Sequence, residues 1–414
     1  MIMSDSTPTI ELVAPAGNLN KLITALHFGA DAVYLAGKRW GLRTQADNFG
    51  DNEIIEALRL AHDRGKRVFV ALNILAHESD FEGLGEYIGF LAAVGVDGVI
   101  VSDLGIMSAV RQIAPTLPIH ISTQANITNA SAALEYVSLG ASRIVLAREL
   151  TLTQIATIRA KLPQSVSLEA FVHGAMCMSY SGRCLISSFL TDRNANLGSC
   201  SQPCRFKYGA EDVGGQLILQ EDERGAYIFS SMDVCMIEHI DRLARAGITA
   251  FKIEGRVKSE YYVGVVTNAY RKMIDIYSRD PLGFVPNANI AAEVTKVASR
   301  GYCTGFYYGK PKQNYNSSQA PCDYEFVAVV TKDNTNDYAT IEQRNRFVVG
   351  DELEVVSPKS YHNAKITIGR MTNDIGEPIE DAKRVQEHLR LYTDIKLTKG
   401  DMLRKRIQKQ PVNA

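Results

Sequence analysis

Five cysteines cluster in the middle of the chain in the pattern Cys177-x6-Cys184-x15-Cys200-x3-Cys204-x30-Cys235. Four of them fall within FVHGAMCMSYSGRCLISSFLTDRNANLGSCSQPC (171–204), among Gly, Ser, Asn and Arg rather than along an apolar stripe. Thiols gathered in this way ligate metal, carry redox chemistry, or merely fill small buried space. Structural zinc favours tight Cys-x2–4-Cys knuckles in pairs, and only Cys200–Cys204 comes near that spacing. Irregular spacing on one long loop suits an iron–sulfur cluster, whose thiolates converge from separate stretches of chain. Five candidates for four places leave one spare. Cys303 and Cys322 stand apart and read as packing residues. The total of seven is odd, which opposes a complete disulfide framework.

Other groups could share a site with these thiols. Lys252, Glu254 and Arg256 alternate in AFKIEGR (250–256) and so share one face of a strand. Charges pointing into a barrel are too costly to be filler unless paired or functional. The plainer alternative is a Lys252–Glu254 ion pair that only closes the barrel. His173 ends a strand beside the cysteine segment, where a proton carrier would be useful, although a lone histidine also serves as a structural hydrogen-bonder. Arg39 and Arg43, Asn73, Gln124 and Asn126, and Arg148 and Glu149 complete a polar ring at strand ends. Several arginines around one cavity suit a dianion, held by bidentate pairing. His173, Lys252 and Glu254 are thus the candidate catalytic groups. Arg39, Arg43, Asn73, Gln124, Arg148 and Arg256 are the candidate substrate-binding groups. Arg183 and Arg205 each flank a cysteine and could stabilise thiolate charge, bind an anion, or point to water.

These residues need elements to place them. Short runs rich in β-branched and small apolar residues recur at 11–17, 32–37, 67–73, 98–103, 118–123, 143–148, 167–174 and 250–256, separated by helical patterns. Strand–helix alternation means parallel strands with right-handed crossovers. Eight such units in about 250 residues fit a TIM-like (β/α)8 barrel, with chemistry at the C-terminal ends of the strands. The seventh and eighth strands are about 75 residues apart, far more than a crossover needs. The cysteine segment and a β-ribbon in QLILQEDERGAYIFSS account for that excess. The chain therefore divides into a barrel over 1–280 with a loop insertion at 174–249, a Pro/Gly/Asn-rich linker at 281–320, and a unit at 321–414. That last unit alternates in short strands, as a small antiparallel β-barrel does. It ends in the basic run KLTKGDMLRKRIQK, read either as a solvated strand end or as a nucleic-acid contact.

Composition bounds the function. The 414 residues carry a net charge of −1, with 46% hydrophobic and 22% charged residues. That balance opposes a whole-surface nucleic-acid coat but permits a local basic groove. No apolar run approaches the ~18 residues of a membrane span, and MIMSDSTPTIELVAPAG lacks the form of a signal peptide. The expected location is the cytoplasm, where thiols stay reduced. There is no HExxH motif, no GxSxG elbow, no Walker A loop and no strand–GxGxxG–helix unit.

ELVAPAGNLNKLITALHFGADAVYLAGKRWGLR, the cysteine block with its following Arg205, FKIEGRVKSEYYV and SRGYCTGFYYG closely resemble the peptidase U32 (collagenase-like) family, and within it the tRNA-hydroxylating branch. The likeness runs through nearly the whole chain. It implies an enzyme that installs 5-hydroxyuridine at the tRNA wobble position, without molecular oxygen and in dependence on prephenate. Related members hydroxylate ribosomal RNA or a ubiquinone precursor, and the latter carry a 4Fe-4S cluster on four cysteines. Carried over by position, the implied ligands are Cys177, Cys184, Cys200 and Cys235, with Cys204 as the alternative. The implied partners are the tRNA anticodon loop and a small dicarboxylate. The competing expectations are a U32-type peptidase, a hydroxylase of another RNA or quinone, and a binding module with structural zinc.

Overall fold

The computed structural model describes residues 9–42, 47–177, 179–205, 207–208, 220–222, 225–227, 231–311, 322–334 and 337–407. Strands and helices alternate from the start: β1 (Glu11–Pro15), α1 (Leu19–His27), β2 (Ala32–Leu35), α2 (Asp51–His62), β3 (Arg67–Leu72), α3 (Leu84–Ala93) and β4 (Gly98–Val101). Then come α4 (Leu104–Ile113), β5 (Ile119–Ile121), α5 (Ala130–Ser138), β6 (Ala141–Val145), α6 (Leu152–Lys161) and β7 (Ser167–Gly174). The cysteine segment contributes α7 (Ile186–Thr191), a ribbon of β8 (Lys207–Tyr208), β9 (Gln220–Asp222) and β10 (Gly225–Tyr227), and β11 (Asp233–Cys235). The chain returns through α8 (Ile240–Arg245) to β12 (Ala250–Ile253) and leaves on α9 (Glu260–Arg279).

β12 pairs in parallel with both β1 and β7, so β1–β7 and β12 form a closed eight-stranded parallel barrel. The strands are buried on both faces, which is why they read as apolar runs rather than alternating ones. In β1, Leu12 and Ala14 pack toward the helices, whereas Val13 joins Tyr34, Phe69, Ile100 and Ala250 in a separate interior cluster. The helices present single apolar stripes; Ile54, Ala57, Leu58 and Ala61 of α2 are an example. Side-chain caps start several of them: Asn18 on α1, Asp103 on α4, Asn129 on α5, Thr151 on α6 and Ser259 on α9.

Two boundaries differ from the sequence expectation. α8 buries Ile240 and Leu243 and is the ordinary crossover into β12, so the inserted part ends at β11. β11 runs antiparallel to the end of β7, pairing Cys235 with His173. The expected linker is structured where described: α10 (Ala288–Glu293) packs on α9, and β13 (Tyr302–Cys303) pairs in parallel with β11. Apolar Val294 and Val297 bury there, which a loop-rich composition concealed.

The C-terminal unit is antiparallel. It comprises β14 (Tyr324–Lys332), β15 (Tyr338–Gln343), β16 (Phe347–Val348), β17 (Glu352–Val356), β18 (Lys365–Thr367), β19 (Met371–Asn373), β20 (Asp381–Ala382), β21 (His388–Tyr392) and β22 (Met402–Arg406). Seven strands form one sheet in the order β18-β17-β22-β14-β15-β21-β19, with β16 and β20 paired separately. The unit is the expected small antiparallel β domain with its own hydrophobic core, and among the described residues no ladder joins its edge strands β18 and β19.

This unit is fastened to α9 and α10. Arg404 is fully buried and donates to Glu293 Oε2 (2.9 Å), to Asn363 Oδ1 (2.6 Å) and to Glu354. Lys296 bridges Glu293 and Glu354 at 2.8 Å each. Burial opposes charge on Glu293, yet His362, Arg404 and Lys296 hold its carboxyl far below the usual carboxylate range. Tyr261 stacks on Phe326 at 5.6 Å. Five residues of the expected basic run, Met402–Arg406, form strand β22, and its Arg404 is an internal counter-ion.

Candidate functional site

A small cavity of about 40 Å³ opens at the C-terminal mouth of the barrel. Tyr34, Asn73, Ser122, Gln124, Phe171, Lys252, Glu254 and Arg256 line it, with Leu42, Ala71, Ile100, Thr123 and Val145. The strands supply these groups because inward positions recur every second residue. Gly174 ends β7 at φ 110°, and a Cβ there would come within 2.6 Å of the Glu254 carbonyl oxygen. Only glycine lets β7 and the end of β12 approach so closely.

The floor of the cavity is the top of a buried charge chain. Lys252 Nζ lies 2.7 Å from Glu169 Oε1, and Arg143 lies 2.8 Å from Glu169 Oε2. Arg143 also pairs with Glu11 at 2.5 Å, and Arg67 meets Glu11 at 2.6 Å. Burial works against charge on Glu169, but Lys252 and Arg143 outweigh it and hold the carboxyl down at about 2. The ammonium of Lys252 sits 4.3 Å from the Tyr34 ring centroid. Its partner is thus Glu169 across the strands, not Glu254. Glu254 instead accepts a hydrogen bond from the Tyr34 hydroxyl (3.3 Å), which also donates to Ile253 O (3.0 Å). Arg256 is buried and donates to the Leu42 carbonyl.

One wall is a set of amides with fixed orientation. Leu42 N donates to Asn73 Oδ1 (3.2 Å), which turns Asn73 Nδ2 toward Ser122 Oγ (3.3 Å) and Gln124 Oε1 (3.2 Å). Ser122 also donates to Gln124 Oε1. With its oxygen taken, Gln124 offers N–H donors outward.

The rim is closed by the turn before α7. Ser181 N and Oγ both donate to Glu149, to Oε1 and Oε2 at 2.6 Å each. Arg148 N donates to Ser181 Oγ (3.4 Å) and Arg148 Nη1 to Ala175 O (3.3 Å). A Cβ placed on Gly182 would lie 3.7 Å from Arg148 Nη2 and 3.8 Å from Gln124 Nε2. Ser181 is held at φ 44°, an uncommon conformation for a residue with a side chain. Glu149→Ala is expected to release this clasp, at a cost of about 1–3 kcal/mol for the orphaned donors. Faster amide exchange confined to residues 179–183 would show it.

The structure gathers Asn73, Gln124, Lys252, Glu254 and Arg256 in the cavity and sets Arg148 at its rim. It does not bring Arg39 there: Arg39 is exposed, stacks over Trp40 at 4.3 Å and donates to Glu82 O (3.0 Å). Arg43 lies outside the described residues. His173 is buried behind the lining, 5.2–6.0 Å from the rings of Tyr302, Tyr270 and Tyr262. Neither ring nitrogen has a hydrogen-bond partner. Burial, with Lys258, pushes its pKa down to about 3, so the imidazole is neutral at ordinary pH. Tyr34, Ser122, Phe171 and the Ser181–Glu149 clasp went unread in the sequence. A tyrosine inside AVYLAG and a glutamate inside SLEAFVHG were the available signals.

The cysteines do not meet as a metal site. Among the described residues, no three His, Cys, Asp or Glu side chains are close enough to hold an ion. Asn196 brackets the Cys184 backbone with two hydrogen bonds of 3.2 Å, and Cys200 accepts from Gln202 N at 3.3 Å. Cys235 is turned against the Tyr270 hydroxyl, and burial pushes its thiol up to about 11. In this conformation the thiols do not fit a four-thiolate cluster.

A cavity of fixed amides and buried cations at the strand ends, roofed by an inserted segment, defines a (β/α)8-barrel enzyme. The chain belongs to peptidase family U32: the family's sequence profile matches residues 17–317, and that of the Peptidase family U32 C-terminal domain matches 322–404. The chain is 37% identical over 401 residues to "tRNA hydroxylation protein P1" of Bacillus subtilis (strain 168), covering 95% of this chain and 94% of that one. It is 38% identical over 273 residues to "23S rRNA 5-hydroxycytidine C2501 synthase" of Escherichia coli (strain K12), covering 66% and 40%. It is 31% identical over 310 residues to "Collagenase" of Porphyromonas gingivalis (strain ATCC BAA-308 / W83), covering 72% and 74%. No helix among the described residues is long and apolar enough to cross a membrane.

Proposed function

We propose that this protein hydroxylates a pyrimidine of RNA, and within that class converts the wobble uridine of tRNA to 5-hydroxyuridine. The observation that carries the reading is the lining of the barrel mouth, whose oriented amides, fixed cations and aromatic rings are the groups that recognise an extruded base. The full-length likeness to a tRNA hydroxylation protein supports it. The reaction replaces C5–H by C5–OH, a two-electron oxidation, and in this reading both the oxygen atom and the electron-pair acceptor come from a hydroxyl-donating co-substrate (X–OH leaving as X–H) rather than from molecular oxygen. The co-substrate of this proposal is prephenate, a small dicarboxylate whose charges match Lys252, Arg256 and Arg148.

The residues take these roles. Gln124 donates to a base carbonyl, its own oxygen being occupied by Asn73 and Ser122. Glu254 accepts the proton leaving C5, oriented by Tyr34. Lys252 pairs with the negative charge of the dicarboxylate co-substrate at the cavity floor. His173, neutral and behind the lining, takes no part in this scheme.

Peptide hydrolysis fits this cavity less well. Thr123 donates its hydroxyl to Leu146 O (3.0 Å) and Ser122 donates to Gln124. Among the described residues neither hydroxyl is hydrogen-bonded to an imidazole that could activate it.

Cys177, Cys184, Cys200 and Cys235, with Cys204 as the alternative, belong to the same proposal as ligands of a 4Fe-4S cluster once their segment draws together; no step above runs through it. Iron and acid-labile sulfide in protein purified without air, and their absence from Cys177→Ser, test that part. An RNA substrate of this kind places the protein in the cytoplasm. The activity itself is tested by mass spectrometry of tRNA nucleosides. Deleting the gene, with any paralogue, should remove 5-hydroxyuridine and its derivatives, and the intact chain should restore them. Unchanged nucleosides would refute the assignment.

A further inference from the structure

α7 and the turn before it leave an apolar surface bare beside the cavity. Phe189 is 88% exposed, Leu185 73%, Tyr180 50%, Leu190 48% and Ile186 39%, while only Ser187 of α7 is buried. A helix that buries its serine and exposes its phenylalanine is not packed for its own stability. Contiguous exposure of this kind marks a contact surface.

Three observations say what covers it. First, Tyr180 is carried on a fixed turn, because the next residue is the clasped Ser181. A half-bare aromatic face on a held backbone binds with a reduced ordering cost. Second, cations sit at the seam. Arg183 is exposed and donates Nε to Gln124 O (2.9 Å), and Arg148 lies under the same turn. Aromatic faces beside arginines match unpaired nucleotides, whose bases stack and whose phosphates pair. Third, the patch is continuous with the cavity. The Tyr180–Gly182 turn lies over Gln124 Nε2, so a strand held on the patch reaches the mouth within a nucleotide or so.

We infer that Tyr180 and Phe189 stack the unpaired nucleotides flanking the target base, so that single-stranded loop RNA occupies this patch. The inference rests on the RNA reading above and names the surface that grips the RNA.

Fluorescence anisotropy with the full chain and a labelled RNA hairpin carrying a uridine in its loop tests it. Phe189→Ala and Tyr180→Ala should each weaken hairpin binding about tenfold. Tyr180→Phe, which keeps the ring, should retain affinity. The slope of log Kd against log salt should stay unchanged in Phe189→Ala and fall by about one in Arg183→Ala. Binding of a fully paired duplex should not change in either aromatic variant. Wild-type affinity for the hairpin in both alanine variants would overturn the inference and leave the RNA reading standing. A wild-type dimer that Phe189→Ala converts to monomer, at unchanged RNA affinity, would assign the patch to a second copy instead. If the wild-type chain binds no hairpin at all, the RNA reading falls and the inference falls with it.

Discussion

Glu169→Gln lowers folding stability by about 3–5 kcal/mol in chemical denaturation, the usual cost of removing one partner from a buried ion pair. The glutamate lies 2.7 Å from Lys252 and 2.8 Å from Arg143, all three buried in the barrel. Glutamine strands the Lys252 ammonium where water cannot replace the counter-charge, while Arg143 keeps Glu11. The same pair sets an acid limb. The Glu169 carboxyl is held at about 2 in the folded protein, below the ordinary value of roughly 4.3 in an unfolded chain. Its contribution is therefore fully present above about pH 4.3 and is lost as pH falls toward 2. Glu169→Gln should lack this part of the acid transition. An unchanged midpoint together with an unchanged acid limb would show that the pair is not formed.

Lys252→Met separates stability from chemistry. It removes the ammonium at the cavity floor, while Glu169 keeps Arg143. Activity should drop about 100-fold or more, the scale of losing one preorganised electrostatic group. The double variant Lys252→Met/Glu169→Gln should recover much of the stability that Glu169→Gln loses, because no buried charge is then stranded between the two. It should recover none of the activity. Parallel recovery of both would reduce Lys252 to a structural role. Hydroxylated nucleoside formed per tRNA, measured beside the denaturation midpoint of each variant, reads the two effects independently.

The barrel was legible because its strands are apolar runs of regular spacing. The cavity residues at strand ends followed from that. The partner of Lys252 did not. Glu254 is two residues along the same strand, roughly 6.6 Å away, whereas a neighbouring strand lies about 4.8 Å off. The pairing of Lys252 with Phe171 brings Glu169 alongside, and only register reveals it. His173 misled for a related reason. Alternation from Glu169 and Phe171 aims it inward, but a register shift between Lys252 and Ile253 intervenes. Such a bulge re-aims a side chain, here toward the tyrosines of α9 and β13. The cysteine spacing advertised convergence, yet where each thiol points depends on contacts such as Asn196 with Cys184 and Tyr270 with Cys235. Those are long-range and leave no periodic trace.

Closure of the barrel through β1 and β12 also fixes an order of events during synthesis. The first strand must wait for Ala250–Ile253 before its open edge is paired. Translation runs at about 5–20 residues per second, so the nascent chain spends many seconds as an open sheet with one edge of β1 unpaired. All five loop cysteines leave the ribosome in that interval, ahead of the strand that seals the mouth beneath them. Arg404 emerges last and finds Glu293 and Lys296 already waiting. The cysteine segment is thus made before the strand that completes the barrel, Ala250–Ile253.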